Sequence, residues 1–247
     1  MNKKRVVVVC PGRGSYTRET SNYLSNLLPE MDEYIKTFDS KRAAGNLIKI
    51  SELDKTTFRA KTHMTGENAS SLIYSCSLND FISINKNKYD IVAICGNSMG
   101  WYISLALGNA ITFENGYDII QTMGKITNEK GVGGQIIYPI INSEWNIDPK
   151  KKAMVFDAID NVNAFISIYL GGYIVIGGEQ KALEFLIKEL PSEDKYPFQI
   201  PYHSAFHTPL LDHIRPLAES SFKNISFDKP TIPLVDGRGH IWTPWSS

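Results

Sequence analysis

The fold is decided by Asp90-Ile91-Val92-Ala93-Ile94-Cys95-Gly96-Asn97-Ser98-Met99-Gly100 and the residues after it, Trp101-Tyr102-Ile103-Ser104-Leu105-Ala106-Leu107-Gly108. A continuous apolar run that stops at glycine predicts a strand buried on both faces, the habit of parallel α/β sheets. Residues 99–108 are apolar nearly all round, which predicts a helix buried in the core. Between strand and helix, Gly96-Asn97-Ser98-Met99-Gly100 matches G-x-S-x-G. In that setting two glycines allow a strained turn that lifts the serine hydroxyl clear of the sheet. The helix N-terminus behind it favours negative charge, and the Met99 N–H can serve an oxyanion hole.

Working outward, Val6-Val7-Val8-Val9-Cys10 is a second run of the same kind, stopped by Pro11-Gly12. The pattern between the two strands is mostly helical; over residues 70–84, for example, Ile73, Cys76, Phe81 and Ile84 share one apolar arc. Strand, helices, strand, tight turn and buried helix form a three-layer α/β pattern. The character changes near Gly131-Val132-Gly133-Gly134. A strand is predicted over residues 135–141, a helix over 149–160, and a hairpin over 164–170 and 173–176 turning at Gly171-Gly172. A helix over 179–190 carries Leu183, Leu186, Ile187 and Leu190 on one face, and a strand is predicted near 198–200. That order, β-α-β-β-α-β, is the ferredoxin-like plan. The expected architecture is therefore an α/β-hydrolase-like three-layer large subdomain over residues 1–130 and 202–247. Residues 131–201 form an inserted ferredoxin-like small subdomain.

Composition narrows the function. The chain has 247 residues, against about 150 per domain, so it holds one large domain or one domain with an insertion. Its 43% hydrophobic and 21% charged residues are ordinary for a globular protein. The 26 Lys and Arg balance 26 Asp and Glu, leaving no basic stripe for phosphates and no case for nucleic acid as a partner. Three Cys without a CxxC pair fit a reduced chain. Met1-Asn2-Lys3-Lys4-Arg5 has the look of a signal n-region, but the apolar run behind it falls short of the ~7–15 residues required. No run approaches ~18 apolar residues, so no membrane span is expected and the protein is read as soluble and cytoplasmic.

A serine nucleophile needs a base. His63, His213 and His240 stand in ordinary contexts, each read as a solvated or core-satisfied imidazole. The informative stretch is Pro201-Tyr202-His203-Ser204-Ala205-Phe206-His207-Thr208-Pro209-Leu210-Leu211. Thr208 before Pro209 reads as an N-cap with proline at the first helical position, which puts His207 on the loop leading into a helix. His203 and His207 could share a metal on one helix, but the prolines around them predict loop and no third ligand recurs, so no metal site is expected. Pro11-Gly12-Arg13-Gly14-Ser15 is not a dinucleotide fingerprint, because Thr17 stands where G-x-G-x-x-G needs its last glycine. It reads instead as a loop whose N–H groups face a pocket opposite Ser98.

Three phrases carry a resemblance: Pro11-Gly12-Arg13-Gly14-Ser15, Gly96-Asn97-Ser98-Met99-Gly100 and Ala205-Phe206-His207-Thr208-Pro209-Leu210-Leu211. In order and spacing they resemble the P-G-Q-G-S, G-H-S-x-G and A-F-H-S-P-L-M phrases of malonyl-CoA:acyl-carrier-protein transacylases and of polyketide synthase acyltransferase domains. Tyr173-Ile174-Val175-Ile176-Gly177-Gly178-Glu179 is similar to that family's V-V-I-A-G segment. The resemblance implies ping-pong acyl transfer in fatty acid or polyketide biosynthesis. Ser98 would attack an acyl-CoA thioester while His207 takes its proton. The N–H groups of Met99 and Arg13 would hold the oxyanion, and the acyl group would pass to the phosphopantetheine thiol of an acyl carrier protein. It implies no resident cofactor, CoA thioester being substrate and phosphopantetheine belonging to the partner. It also implies an acyl pocket lined by Gly12, Arg13, Asn68 and Met123, and a histidine oriented by a backbone carbonyl without a third triad member.

The chain departs from the family pattern in four places. Asn97 replaces the His of G-H-S, Trp101 replaces a Glu, Arg13 replaces Gln, and Met123 stands where the family carries the Arg that pairs with the malonyl carboxylate. Malonyl is the expected acyl group, with Arg13 reaching its carboxylate from the opposite wall. Family members continue past the last matched phrase, Lys229-Pro230-Thr231-Ile232-Pro233-Leu234-Val235, which implies further segments against the core and an apolar patch including Trp242 and Trp245. The alternative is a serine hydrolase of acyl thioesters using the same Ser98 and His207, separated from a transferase by whether water is excluded. A non-catalytic protein that only docks carrier is disfavoured by the intact serine and histidine.

Overall fold

The computed structural model describes residues 2–245. Its strands are β1 (Lys4–Cys10), β2 (Tyr89–Gly96), β3 (Gly134–Pro139), β4 (Ala164–Leu170), β5 (Tyr173–Gly178), β6 (Phe198–Gln199), β7 (Leu234–Val235) and β8 (Ile241–Trp242). Its helices are α1 (Pro29–Ala44), α2 (Ile50–Lys55), α3 (Ala60–His63), α4 (Gly66–Ser83), α5 (Met99–Leu107), α6 (Phe113–Lys130), α7 (Pro149–Asp160), α8 (Gln180–Glu189) and α9 (Arg215–Phe222). They fall into two compact units, one made of the residues up to Lys125 and from Ser221 onward, the other of Ile126–Ser220. The chain is a mixed α/β protein.

In the first unit the sheet order is β1-β2-β7-β8, with β1, β2 and β7 parallel and β8 antiparallel. The register aligns Val8, Ile94, Leu234 and Trp242 in one row. Ile94 and Leu234 are buried in one cluster with Met99, Ile103, Ala106 and Leu107 of α5 and with Leu72, Ile73 and Leu78 of α4. The next row is Val9, Cys95, Val235 and Ile241, and side chains in adjacent rows point to opposite faces. On that face Val7 is 54% and Val9 72% exposed, and Ile241 is exposed as well. The expectation that β1 is buried on both faces is therefore corrected. Five apolar residues in a row state that either face can be buried, but not that both are.

The helical readings shift in the same way. Residues 70–83 lie in a helix that starts earlier, with Ile84 as its extended C-cap, and its buried surface extends beyond one arc to Leu72, Tyr74, Ser75 and Leu78. Cys76 and Ile84 are only half-buried. α5 buries Ile103, Ser104, Ala106 and Leu107, whereas Trp101, Tyr102 and Leu105 are half-exposed, so it is less enclosed than its composition predicts. Arg42 of α1 is almost fully buried and is held by oxygens alone. It donates to the carbonyls of Ile48 and Glu67, to Ser71 Oγ and Asn68 Oδ1 on α4, and to Gln121 Oε1 on α6. His63 is buried with both ring nitrogens engaged, Nδ1 by the Arg59 backbone and Nε2 by the Leu53 carbonyl and the Thr56 hydroxyl.

The second unit runs β3-α7-β4-β5-α8-β6 and forms an antiparallel sheet of order β4-β5-β3-β6. One face, with Ile136, Tyr138, Ile174 and Ile176, packs with Val155 and Ile159 of α7 and Leu183 and Leu186 of α8. Asp148 caps α7 by accepting from the N–H groups of Lys150 and Lys151. Gly171, at φ +58°, opens the two-glycine turn between β4 and β5. The opposite face carries Gln135, Val175 and Gly177, and a Cβ on Gly177 would lie 2.6 Å from Thr208 Cγ2. The segment after His207 is therefore packed against this face. Thr208 stands at an N-cap position before Pro209, but its hydroxyl donates back to the Ala205 carbonyl at 2.6 Å instead of capping. The chain then turns through a 3-10 helix, Pro209–Ile214, before α9 begins.

No helix among the described residues is long and apolar enough to cross a membrane.

Candidate active site

Ser98 sits between β2 and α5 with φ +55° and ψ −120°, a backbone state that costs a non-glycine residue on the order of 1–3 kcal/mol. The flanking glycines explain how the turn closes. A Cβ on Gly96 would lie 2.2 Å from the Gly100 carbonyl oxygen, and one on Gly100 would lie 2.4 Å from that of Cys10. Both contacts are with backbone, so neither can yield by rotating a side chain. The elbow thus locks α5 against the ends of β1 and β2. As the first residue of α5, Met99 has an N–H with no partner inside the helix, at its positive end.

The lock has a measurable stability. Gly100→Ala should destabilise the protein by roughly 1–3 kcal/mol through overpacking, lowering Tm by about 2–12 °C for a chain of this size. A melt superimposable on the wild type would contradict the close approach of α5 to β1.

The glycine loop after β1 reaches the same place. A Cβ on Gly12 would stand 3.1 Å from the Asn97 carbonyl oxygen and 4.0 Å from Ser98 Cβ. Arg13 is the next residue, with Nη2 donating to the Met64 carbonyl at 3.2 Å. Burial pulls its pKa down to about 10, which leaves it cationic at neutral pH. Met123 is half-buried against the core where α6 passes α4, and a Cβ on neighbouring Gly124 would be 2.6 Å from the Gly66 carbonyl oxygen. Asn68 has both ends of its amide engaged: Oδ1 accepts from Arg42 and Nδ2 donates to the Thr62 carbonyl at 2.9 Å. Gly12, Ser98 and Met99 are thus brought together within the first unit.

His207 belongs to the second unit and also has a positive φ, +57°. Burial lowers its pKa from the usual imidazole value, favouring the neutral form that can take up a proton. His203 is engaged within the sheet: its Nδ1 donates to Gln135 Oε1 at 2.8 Å, and its ring meets Phe206 edge-on. Gln135 and Ser167 were not singled out from the sequence. The available signal was a lone polar residue in each of two apolar strand stretches, Gln135-Ile136-Ile137-Tyr138 and Phe165-Ile166-Ser167-Ile168. Among the described residues no three His, Cys, Asp or Glu side chains gather as metal ligands.

A serine raised between a strand and a helix and flanked by two close-packed glycines has the local geometry of a nucleophile elbow. No protein-family model matches the chain. It is similar to the malonyl CoA-acyl carrier protein transacylase of Haemophilus influenzae, 25% identical over 94% of this chain and 74% of that protein. It is also similar to the polyketide biosynthesis malonyl CoA-acyl carrier protein transacylase PksC of Bacillus subtilis, 24% identical over 93% of this chain and 76% of that one. Among solved structures, the malonyl-CoA:ACP transacylase of Synechocystis superposes with a TM-score of 0.75 at 14% identity, over 94% of this chain and 73% of the other. Its relatives and structural neighbours are thus malonyl-CoA:acyl-carrier-protein transacylases.

Proposed function

We propose that this protein is an acyltransferase that moves a malonyl group from CoA to the phosphopantetheine thiol of an acyl carrier protein through an acyl-serine at Ser98. The observation that carries this reading is the elbow itself: a strained serine at the head of α5, clamped by two glycines, with the Gly12 loop beside it. The similarity to malonyl transacylases supports the donor and acceptor. In the reading, Ser98 Oγ adds to the thioester carbonyl as His207 takes its proton. The N–H groups of Met99 and Arg13 hold the oxyanion, and CoA leaves as the thiol after receiving that proton. The carrier thiol then repeats the steps in reverse. The elbow unit acts as the hydrolase-like part, and the βαββαβ sheet is its ferredoxin-like insertion.

The acyl group depends on a cation. A carboxylate entering a pocket loses hydration and needs a positive partner. Met123 offers only an adaptable apolar wall, whereas Arg13 is a buried cation that follows Gly12 in the chain, and Gly12 lies next to Ser98. A hydrogen bond to a charged group contributes ~1.5–3 kcal/mol, so Arg13→Gln should cost roughly 10- to 150-fold in kcat/KM for malonyl-CoA and little for acetyl-CoA. The test compares both donors, with holo carrier protein as acceptor, in wild type and Arg13→Gln. A wild-type preference for acetyl-CoA that the variant leaves unchanged overturns the malonyl assignment. Free acid released at a rate indifferent to carrier protein points instead to a thioester hydrolase on the same serine and histidine.

A further inference from the structure

The loop that carries His207 is tied, by a polar cluster in an apolar setting, to the face of the second unit's sheet that does not carry α7 and α8. Gln135 on β3 is 2% exposed. Its Nε2 donates to Ser167 Oγ at 2.6 Å and to the Phe206 carbonyl at 3.4 Å. Ser167 on β4 donates its own hydroxyl to the same carbonyl at 2.8 Å. His203 Nδ1 donates to Gln135 Oε1, so the amide has one orientation that satisfies all three partners. The chain of donors runs from His203 through Gln135 and Ser167 to a single oxygen, each bond polarising the next.

That oxygen is well placed to matter. The Phe206 carbonyl belongs to the peptide plane that ends at the nitrogen of His207, so fixing it fixes the plane about which φ of His207 is measured. His207 is held at φ +57°, a region that non-glycine residues occupy only when their surroundings over-determine it. Nearby bonds steady the neighbouring residues. The Ala205 N–H donates to the Val132 carbonyl at 2.8 Å and Thr208 Oγ1 donates to the Ala205 carbonyl. The Gln135–Ser167 pair acts on the His207 peptide itself. A buried glutamine in a strand costs stability unless every polar atom is paired, and here the pairing is directed at one loop.

We infer that Gln135 and Ser167 are positioning residues that hold His207 in its strained backbone conformation by clasping the Phe206 carbonyl, with His203 orienting the glutamine amide. The inference rests on the reading of His207 as the base. Loss of the clasp lets the imidazole wander, and a misplacement of about 1 Å costs on the order of 10²-fold in rate.

The test measures the single-turnover rate of Ser98 acylation by malonyl-CoA, with a melt for each variant of the full chain. Ser167→Val and Ser167→Thr have the same shape and differ by the hydroxyl. Ser167→Val should lose roughly 10- to 100-fold in the acylation rate, and Ser167→Thr should recover most of that loss. Gln135→Met should fall similarly in wild type, yet add nothing in a His207→Ala background, because it acts through the histidine. Equal losses in Ser167→Val and Ser167→Thr, or a full additive cost of Gln135→Met without His207, overturn the clasp while leaving His207 as the base. If His207→Ala itself acylates at the wild-type rate, the base assignment falls and the clasp falls with it.

Discussion

Ser98→Ala should lower malonyl transfer by roughly 10⁶, the scale seen when an acyl-transfer serine is removed. Cys10, at the end of β1, is buried and its thiol is pushed up to about 11, so it stays protonated at neutral pH. Cys76 is raised further still by burial. The backbone supplies an internal control. Alanine inherits the unfavourable φ of +55°, whereas glycine accepts it without strain. Ser98→Gly should therefore be as inactive as Ser98→Ala and more stable by about 1 kcal/mol. That pairing of lost activity with gained stability would identify a strained functional site. Steady-state transfer to holo carrier protein and thermal melts check both halves; turnover in Ser98→Ala within tenfold of wild type would contradict the assignment.

His207→Ala should slow acylation by about 10²–10⁴, the range for removing a general base, with His203→Ala costing far less. The pH profile adds a sign. Burial favours neutral imidazole, so its pKa lies below the ordinary value near 6.5. The base is active only when unprotonated. Wild-type kcat/KM should then rise with pH through a midpoint below about 6.5 and level off by neutrality, and that limb should vanish in His207→Ala. A limb centred above that value and unaffected by the substitution would assign the titration to another group. A larger loss in His203→Ala than in His207→Ala would move the base to His203, despite its bond to Gln135.

Local rules made the elbow legible. Gly96 and Gly100 are required by contacts within five residues of each other and with β1, so the short phrase records its own geometry. The Gly171-Gly172 hairpin was legible for the same reason: the turn needs a positive φ that glycine supplies freely. Apolar runs were less informative. Val7 and Val9 read as core, yet they lie on the face of β1 that faces solvent, because hydrophobicity specifies tolerance for burial and not the presence of a neighbour. Thr208 misled in another way. Its residue type suits an N-cap, but the nearer Ala205 carbonyl takes its hydroxyl. Gln135 and Ser167 stand out as polar residues in apolar strands, but their shared partner does not, because Phe206 lies 71 and 39 residues away and no spacing rule connects two strands to one distant loop.

An intact-mass spectrum with peptide mapping shows whether Ser98 carries the acyl group. Wild-type protein mixed with malonyl-CoA, then quenched in acid before carrier protein is added, should gain the mass of one malonyl group, with the label on the peptide that contains Gly96-Asn97-Ser98-Met99-Gly100. Adding holo carrier protein before the quench should remove the label from the protein and place it on the carrier. Ser98→Ala should gain no mass. A label that persists in Ser98→Ala, or that maps to another peptide, would overturn Ser98 as the nucleophile.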